Sequence, residues 1–297
     1  MLLELSHSKN NMGIIIGKKT RVIVQGITGT QGSLHTQFML EYGTKIVAGV
    51  TPSKGGAKVH GIPIYDTVKE AQEKHTPNAS IIFVPAPFAA EAALEAIDSG
   101  IKTIVMITEH VPTKDSVCLA NARRANATII GPNTPGIITP GKCKLGIMPS
   151  NVFTSGSVGV LSRSGTLMYE IANSFTRKQI GQSTCIGVGG DPIMGLNFVE
   201  ALDMFRKDPQ TKAVALIGEI GGDLEERTAE YILKGYPKPV VAYIAGRSAP
   251  PEKRMGHAGA IIMGKTGTAE HKIEALENAG VKVAEKPSDV TNFVSVR

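Results

Sequence analysis

The segment RVIVQGITGTQG, residues 21 to 32, is the clearest indication of the fold of the amino-terminal half of the chain. Its first five residues form an apolar, β-branched run that is typical of a buried strand. Glycines then mark a turn, and a helical periodicity that carries Leu34, Phe38 and Tyr42 follows. Backbone N–H groups at such a turn and at the start of the next helix bind anions. The stretch therefore predicts the phosphate-binding strand–turn–helix unit of an open α/β sheet.

The glycine spacing of this turn differs from that of nicotinamide and flavin sites. Gly26, Gly29 and Gly32 are each three residues apart, whereas the dinucleotide fingerprint places its first two glycines two apart. The acid that binds a free ribose hydroxyl about 20 residues further on is missing, and Lys54 stands in that region. Because a lysine can pair with a ribose phosphate, a phosphorylated nucleotide such as coenzyme A or NADP is favoured. A solvated loop lysine is the alternative.

Outward from this unit, apolar runs alternate with segments of helical periodicity, which is the pattern of βα units on a buried parallel sheet. The predicted strands are Arg21–Gln25, Lys45–Val50, Ser80–Val84, Lys102–Ile107, Thr128–Ile130, Ser157–Leu161, Thr184–Val188, Ala213–Gly218, Pro239–Ala245 and Val281–Ala284. The Pro- and Gly-rich segment Gly131–Pro149 is predicted to be a loop at the end of the first domain. We therefore expect an α/β chain with two tandem doubly wound domains: an arm over 1–17, then 18–149 and 150–297.

Composition disfavours several classes of protein. The 297 residues are 42% hydrophobic and 20% charged, which fits a globular chain with two cores. Basic residues occur in scattered pairs without Trp or interleaved aromatics, so we do not expect nucleic-acid binding. Three widely spaced cysteines predict neither a disulfide framework nor a metal site, and no apolar run is long enough to cross a bilayer. The residues before Met12, an alternative start, have no secretory signal pattern.

Polar residues that directly follow strands are the candidate site of the second domain, because ligands of open α/β sheets bind beyond the carboxyl ends of the strands. Four segments fit this rule: SRSGTLMY (162–169), GGDP (189–192), EIGG (219–222) and the loop with His257. A carboxylate from Glu219 on one ring nitrogen of His257 would fix the tautomer and leave the other nitrogen as a nucleophile. The helix start after Ser162 predicts a place for a phosphoryl group. An ordinary N-cap and a solvated acid are the alternatives.

Together these segments resemble the α subunit of succinyl-CoA synthetase, the succinate–CoA ligase of the citric acid cycle, from about residue 17 to about residue 283. The resemblance is carried by QGITGTQG (25–32), VTPSKGG (50–56), VPAPF (84–88), SRSGTL (162–167), GVGGDP (187–192), GEIGG (218–222) and RMGHAGAI (254–261). It implies an N-terminal Rossmann-like CoA-binding domain and a C-terminal flavodoxin-like ligase domain. Coenzyme A carries a ribose 3′-phosphate, which agrees with the lysine at position 54.

The resemblance also implies a reaction and residue roles. The family catalyses succinate + CoA + ATP or GTP ⇌ succinyl-CoA + ADP or GDP + phosphate. His257 matches its transiently phosphorylated histidine, Glu219 the acid that orients this histidine, and Tyr169 a substrate-binding position. The positions matched to CoA binding are Thr28, Gly29, Thr30, Gln31, Lys54, Ile107, Thr108 and Glu109. The positions matched to the helix start that holds the phosphohistidine are Ser162, Ser164, Gly165 and Thr166.

Partners and alternatives follow from the same resemblance. It implies a β subunit, in an αβ or α2β2 assembly, that binds ATP or GTP with Mg²⁺. Because the chain shows no ATP-grasp-like nucleotide domain, we expect no turnover without that partner. The alternatives are an α-type subunit of another NDP-forming acyl-CoA ligase and a non-catalytic CoA-binding regulator, which would need no Glu219–His257 pair. A nicotinamide dehydrogenase is disfavoured by the missing ribose acid. A cytoplasmic location is expected, with the mitochondrial matrix as the alternative.

Overall fold

The computed structural model describes residues 13–122, 127–250, 255–262 and 267–294. Residues 1–12 of the predicted arm over 1–17 lie outside these ranges. The chain divides into two compact units. The first runs to Met148 and includes the short segment Ile193–Gly195, and the second comprises Pro149–Pro192 and the chain from Leu196 onward.

The first unit contains a seven-stranded sheet with helices between its strands. The strands are β1 (Arg21–Gln25), β2 (Lys45–Val50), β3 (Lys58–Val59), β4 (Ile62–Tyr65), β5 (Ala79–Ile82), β6 (Thr103–Met106) and β7 (Thr128–Ile130), and the helices are α1 (Thr30–Glu41), α2 (Val68–His75), α3 (Ala86–Asp98) and α4 (Thr113–Ala122). The strand order is β3-β4-β2-β1-β5-β6-β7, with only the β3–β4 pair antiparallel. Without β3, this is the Rossmann order, which reverses between β1 and β5.

The second unit has the other doubly wound order. Its parallel strands are β10 (Ser155–Ser162), β11 (Gln182–Gly187), β12 (Ala213–Glu219), β13 (Val240–Ala245) and β14 (Lys282–Ala284), and they follow an antiparallel hairpin of β8 (Gly136–Thr139) and β9 (Cys143–Gly146) in the chain. Its helices are α5 (Gly165–Arg177), α6 (Phe198–Lys207), α7 (Leu224–Leu233) and α8 (Ala269–Asn278), with 3₁₀ turns at Ser150–Val152 and Pro287–Asn292. The parallel strands lie in the order β14-β13-β12-β10-β11. This is the flavodoxin-like order, which reverses between β10 and β12 and confirms the predicted fold class.

The hairpin corrects the sequence analysis, in which Gly131–Pro149 was expected to be a loop. Thr139 pairs with Cys143 and Gly136 with Gly146, so two short strands occupy much of that segment. Their apolar residues, among them Ile137, Ile138 and Leu145, are fully buried. The two strands were not predicted because the segment is rich in Pro and Gly and because four-residue strands are too short to show a clear period. The two-residue strand β3 and the short β4 were missed for the same reason.

The parallel strands form the cores of both units. Ile23, Ile82 and Ile104 are fully buried in the first sheet, and Val160 and Leu216 are fully buried in the second. Such continuous apolar runs are expected where helices cover both faces of a parallel sheet. Within the described ranges, every helix is too short or too polar to pass through a bilayer.

Candidate active site

A cavity of about 750 Å³ opens in the first unit at the carboxyl ends of β1 and β5. This is the point where the strand order reverses, which is where open α/β sheets bind their ligands. Four segments line the cavity: the glycine turn after β1, the end of β2 with Thr51 and Pro52, the segment from Phe83 to Pro85, and one face of α3 with Phe88, Glu91, Ala92 and Glu95. Its volume is in the range of small-molecule and cofactor sites.

The glycine turn explains the three-residue spacing seen in the sequence. Gly29 is the N-cap residue of α1, and its N–H donates to the Gly26 carbonyl oxygen at 3.1 Å. Gly32 lies in the first turn of the helix, where a Cβ would come within 2.1 Å of the same oxygen. Only glycine at position 32 lets the helix approach the end of β1 this closely. The first residues of α1 therefore form part of the cavity wall, where their backbone N–H groups can bind an anion.

The residues expected to bind CoA fall into two groups. Thr28, Gly29, Thr30 and Gln31 line the cavity directly. Lys54, Ile107, Thr108 and Glu109 lie outside its lining.

In the second group, only Thr108 has a side-chain hydrogen bond with a segment that lines the cavity among the described residues. Lys54 is exposed in the loop after β2, and the side chain of Glu109 is 66% exposed. The Thr108 hydroxyl donates to the carbonyl oxygen of Val84 at 2.7 Å and thereby holds a segment that lines the cavity. The backbone N–H of Ile107 donates to Ile82 at 3.2 Å. Direct contact of these residues with CoA stays a prediction.

In the second unit, His257 is bound to Glu219, the last residue of β12. Nδ1 of His257 lies 2.8 Å from Oε2 and 3.0 Å from Oε1 of Glu219. The carboxylate is 8% exposed and the imidazole 29% exposed. The hydrogen bond to Glu219 raises the pKa of His257 above its usual value, while burial acts in the opposite direction. A proton is thus held on Nδ1, and Nε2 has no hydrogen bond from any residue within the described ranges.

The loop of His257 is closed by its own backbone. The N–H of Met255 donates to Ala260 at 2.9 Å, and the N–H of Ala260 donates to His257 at 3.1 Å. The N–H of Gly259 donates to the carbonyl oxygen of Gly190, in the loop after β11, at 3.0 Å. A Cβ at Gly190 would lie 2.3 Å from Cγ of the imidazole. The ring therefore packs directly on the Gly190 backbone.

We expect Gly190→Ala to break the hydrogen bond between His257 and Glu219, because the added methyl group occupies space that the ring now fills. The pKa of His257 should then fall toward 6.5. An NMR titration of the ring nitrogens measures this. Gly29→Ala in the first unit is the control, because the φ of −72° at Gly29 suits alanine and the added Cβ would meet no atom nearer than 3.4 Å. An unchanged pKa in Gly190→Ala would contradict the described packing.

The start of α5 divides the predicted phosphate-binding residues. Ser164 is the N-cap residue, and its hydroxyl accepts from the N–H of Leu167 at 3.4 Å. Gly165 begins the helix and Thr166 is exposed beside Ser164. Ser162 is fully buried, and its hydroxyl donates to the carbonyl oxygen of Ser164 at 2.6 Å. Ser162 therefore stabilises the turn, whereas Ser164 to Thr166 present the helix N-terminus.

Tyr169 lies one turn into α5 and is partly buried. Its ring meets Phe153 edge to face, with 6.3 Å between the centroids. Burial raises the pKa of its hydroxyl to about 12. The side chain is therefore a neutral hydrogen-bonding group at physiological pH.

Three buried charged residues connected to Glu219, directly or through one another, were missed by the sequence analysis. Arg163 is 3% exposed, and its Nη1 donates to the carbonyl oxygen of Gly221 at 3.0 Å. Its Nε lies 3.3 Å from Oε1 of Glu219, close enough for an ion pair but without a well-directed hydrogen bond. Glu225 and Lys272 are both fully buried. Only Arg163 had a sequence signal, since it lies between two serines of a quoted motif.

Comparisons with known proteins match both halves of the chain. The CoA binding domain family matches residues 17–110, and the CoA-ligase family matches residues 161–282. The chain is 58% identical over 285 residues to "Succinate--CoA ligase [ADP-forming] subunit alpha 2" of Archaeoglobus fulgidus, covering 96% of this chain and 99% of that protein. It is 55% identical over 287 residues to the alpha subunit of Aquifex aeolicus with the same enzyme name, covering 96% and 94%.

A solved structure with a similar fold belongs to a longer protein. The ATP citrate lyase of Methanosaeta concilii, in complex with (3S)-citryl-CoA, is 27% identical and superposes with a TM-score of 0.86 over 93% of this chain. The chain spans about half of the lyase, 49% of its length. The two named relatives are more than 50% identical to this chain over nearly their whole length, and both matched families are named for CoA. The chain belongs to the family of succinate–CoA ligase α subunits.

Proposed function

We propose that this chain is the α subunit of an ADP-forming succinate–CoA ligase, with CoA bound by the first unit and a phosphoryl group carried on His257 of the second. The single observation that carries the chemistry is the contact of 2.8 Å between Nδ1 of His257 and Glu219. It holds the ring in one tautomer and leaves Nε2 as the nucleophile. The names of the relatives and the matched CoA binding domain support the substrate assignment.

The steps proposed for succinyl-CoA cleavage balance as follows. A phosphate oxygen attacks the acyl carbon, the carbon–sulfur bond breaks, and CoA leaves with a proton on its thiol. Nε2 of His257 then attacks the phosphorus of succinyl phosphate, the bond between phosphorus and the acyl oxygen breaks, and succinate leaves. The phosphoryl group finally passes from Nε2 to ADP, bound with Mg²⁺ by the β subunit, and the ring is regenerated.

Each remaining residue of the site has a defined task in this proposal. The N–H groups at the start of α5, between Ser164 and Thr166, stabilise the phosphoryl group on His257. The neutral hydroxyl of Tyr169 donates a hydrogen bond to the substrate. The turn Thr28–Gln31 binds the pyrophosphate of CoA at the N-terminus of α1.

A β subunit supplies the nucleotide site in this proposal, in an αβ or α2β2 assembly. The relatives are themselves named as α subunits. They belong to archaeal and bacterial species, and we propose a cytoplasmic location on that ground.

Peptide mass spectrometry tests the proposal directly. The chain is incubated with succinyl-CoA, phosphate and a cognate β subunit, and the peptide with His257 is searched for an acid-labile phosphoryl group. Labelling that needs succinyl-CoA, and is absent with acetyl-CoA, is the expected result. Labelling by acetyl-CoA would assign the chain to another acyl-CoA ligase. No labelling with any acyl-CoA, despite CoA binding, would indicate a non-catalytic regulator.

We expect Glu219→Gln to move the acidic limb of the pH profile of kcat to lower pH. The ring must be unprotonated on Nε2 to accept the phosphoryl group, and Glu219 raises the pKa at which that proton is lost. Glutamine keeps the shape but removes the charge, so the limb should shift by about one pH unit. The exposed Glu230→Gln is the matched control. A limb that does not move would show that Glu219 does not set the protonation of His257.

We expect Lys54→Met to weaken binding of CoA about tenfold, because a charged partner of the ribose 3′-phosphate is lost. Binding of 3′-dephospho-CoA should not change. Isothermal titration calorimetry with both ligands measures the difference, and Lys58→Met, an exposed lysine nearby in sequence, is the control. Equal weakening of both ligands would contradict the assigned role of Lys54.

A further inference from the structure

A buried series of alternating charges leads away from Glu219 into the second unit. It consists of Glu219, Arg163, Glu225, Lys272 and Glu226, and we name it the charge chain. Its members come from the ends of β12 and β10, from the first turn of α7, and from α8. The side chains of Arg163, Glu225 and Lys272 are at most 3% exposed. Charges buried this deeply are costly unless each one is paired, so their arrangement is constrained.

Glu225 connects the backbone of Glu219 with both cations of the charge chain. Its Oε1 accepts from the N–H of Glu219 at 3.1 Å and lies 3.5 Å from Nη1 of Arg163. Its Oε2 accepts from Nζ of Lys272. One carboxylate therefore holds the residue that binds the histidine, the arginine beside that residue, and a lysine from a separate helix.

The two cations hold the loop that follows Glu219. Nη1 of Arg163 donates to the carbonyl oxygen of Gly221 at 3.0 Å. Nζ of Lys272 donates to the carbonyl oxygen of Gly222 at 3.0 Å and to Oε2 of Glu226 at 3.0 Å. A shift of Lys272 or Glu225 would therefore move the end of β12, and the carboxylate of Glu219 with it.

The charge chain also has an unequal number of charges. It contains three carboxylates and two cations, and Asp191 near the ring adds a further carboxylate, so a proton on the ring of His257 reduces the excess of negative charge. The charged groups that face the ring are Glu219 at the end of β12, Arg163 after β10 and Asp191 after β11. Glu225 lies one contact further away, against Arg163 and the backbone of Glu219, and Lys272 lies beyond Glu225.

We propose that Glu225 and Lys272 are positioning residues for His257, which hold Glu219 in place and whose opposite charges offset each other at the imidazole. This inference rests on the proposed function, because it assumes that the ring accepts a phosphoryl group. It does not make either residue a catalytic one, since neither touches the ring.

Single and double variants of Glu225 and Lys272 separate the effect of their charges on the pKa of His257 from their effect on its orientation. Glu225→Gln removes a negative charge and should lower the pKa of His257, whereas Lys272→Met removes a positive charge and should raise it, each by about half a pH unit. The double variant restores the balance, so the pKa should return to that of the unchanged chain. In all three, kcat should fall about tenfold or more through loss of orientation, with KM for CoA unchanged.

Ring ¹⁵N shifts of His257, assigned with the help of His257→Asn, report the pKa without any turnover. Lys207→Met removes one partner of an exposed ion pair with Asp203 and is the control, for which neither kcat nor the ring titration should change. Loss of fold alone would not give opposite shifts in the two single variants. Shifts in the same direction, or none, would overturn the proposal.

If a single variant fails to fold, kcat of the double variant Glu225→Gln, Lys272→Met decides the outcome. The double variant removes both charges of the buried pair, so neither charge is left without its partner. A kcat equal to that of the unchanged chain would overturn the positioning role. Failure of the proposed function would give a different result. The unchanged chain with its β subunit would then form no succinyl-CoA, while the titrations of the His257 ring would still show whether Glu225 and Lys272 affect its pKa.

Discussion

Replacing His257 with Asn is expected to abolish succinyl-CoA formation and leave CoA binding unchanged. An asparagine amide has no nucleophilic ring nitrogen, so no phosphoryl intermediate can form on it. Loss of a covalent nucleophile lowers turnover by at least about 10⁴-fold in enzymes of this kind of chemistry. The cavity of the first unit is lined by residues between Gln25 and Glu95 alone, so CoA affinity should stay within about twofold.

Steady-state kinetics with the β subunit and calorimetric titration with CoA measure the two effects. The matched control is His271→Asn, which changes an exposed histidine of the same unit. Its turnover should equal that of the unchanged chain. Residual turnover of His257→Asn within 100-fold of normal, or a parallel loss of CoA binding, would contradict the proposed phosphohistidine.

Replacing Arg163 with Met is expected to lower the free energy of unfolding substantially. Arg163→Met removes the cation between Glu219 and Glu225, two carboxylates with side chains 8% and 0% exposed. A buried charge that loses its partner typically costs 3 to 5 kcal/mol, and Glu225 keeps Lys272 as a second partner, so we expect a loss of about 3 kcal/mol in the free energy of unfolding.

Urea denaturation of the chain measures this loss. Arg206→Met is the control, because Arg206 pairs with Asp203 while its side chain is 48% exposed. An exposed pair of this kind contributes at most about 1 kcal/mol. Equal destabilisation of the two variants would show that Arg163 is not needed to neutralise the buried carboxylates.

Apolar strands of the two parallel sheets were the part of the fold that could be predicted most accurately. Arg21–Gln25, Lys45–Val50 and Thr128–Ile130 begin and end at the predicted residues. Ser155–Ser162 extends beyond its predicted limits by two residues at the start and one at the end. Runs of β-branched residues between polar helix starts identify such strands because a parallel sheet covered on both faces must be apolar throughout. Short hairpins carry no comparable pattern.

The candidate site was predictable where a topological rule applies. Ligands lie beyond the carboxyl ends of parallel strands, and this rule brought Glu219 and His257 into one hypothesis before any distance was known. The structure places their side chains 2.8 Å apart. The family resemblance predicted both Thr28 to Gln31 and Lys54 as CoA-binding positions, and of these only Thr28 to Gln31 line the cavity. A strand end identifies an edge of the sheet, whereas depth in a cavity depends on how each loop turns afterwards.

Local sequence patterns were enough to predict the two doubly wound domains, the glycine turn after β1 and the pair of Glu219 and His257, because each depends on local periodicity or on the position of a residue relative to a strand. The folded chain was needed to show that Gly190 forms the surface under the imidazole and that Arg163, Glu225 and Lys272 form a connected series of charges that begins at Glu219. Burial and pairing of charges arise between segments far apart in the chain. No local pattern records which distant carboxylate will neutralise a given cation once both are removed from water.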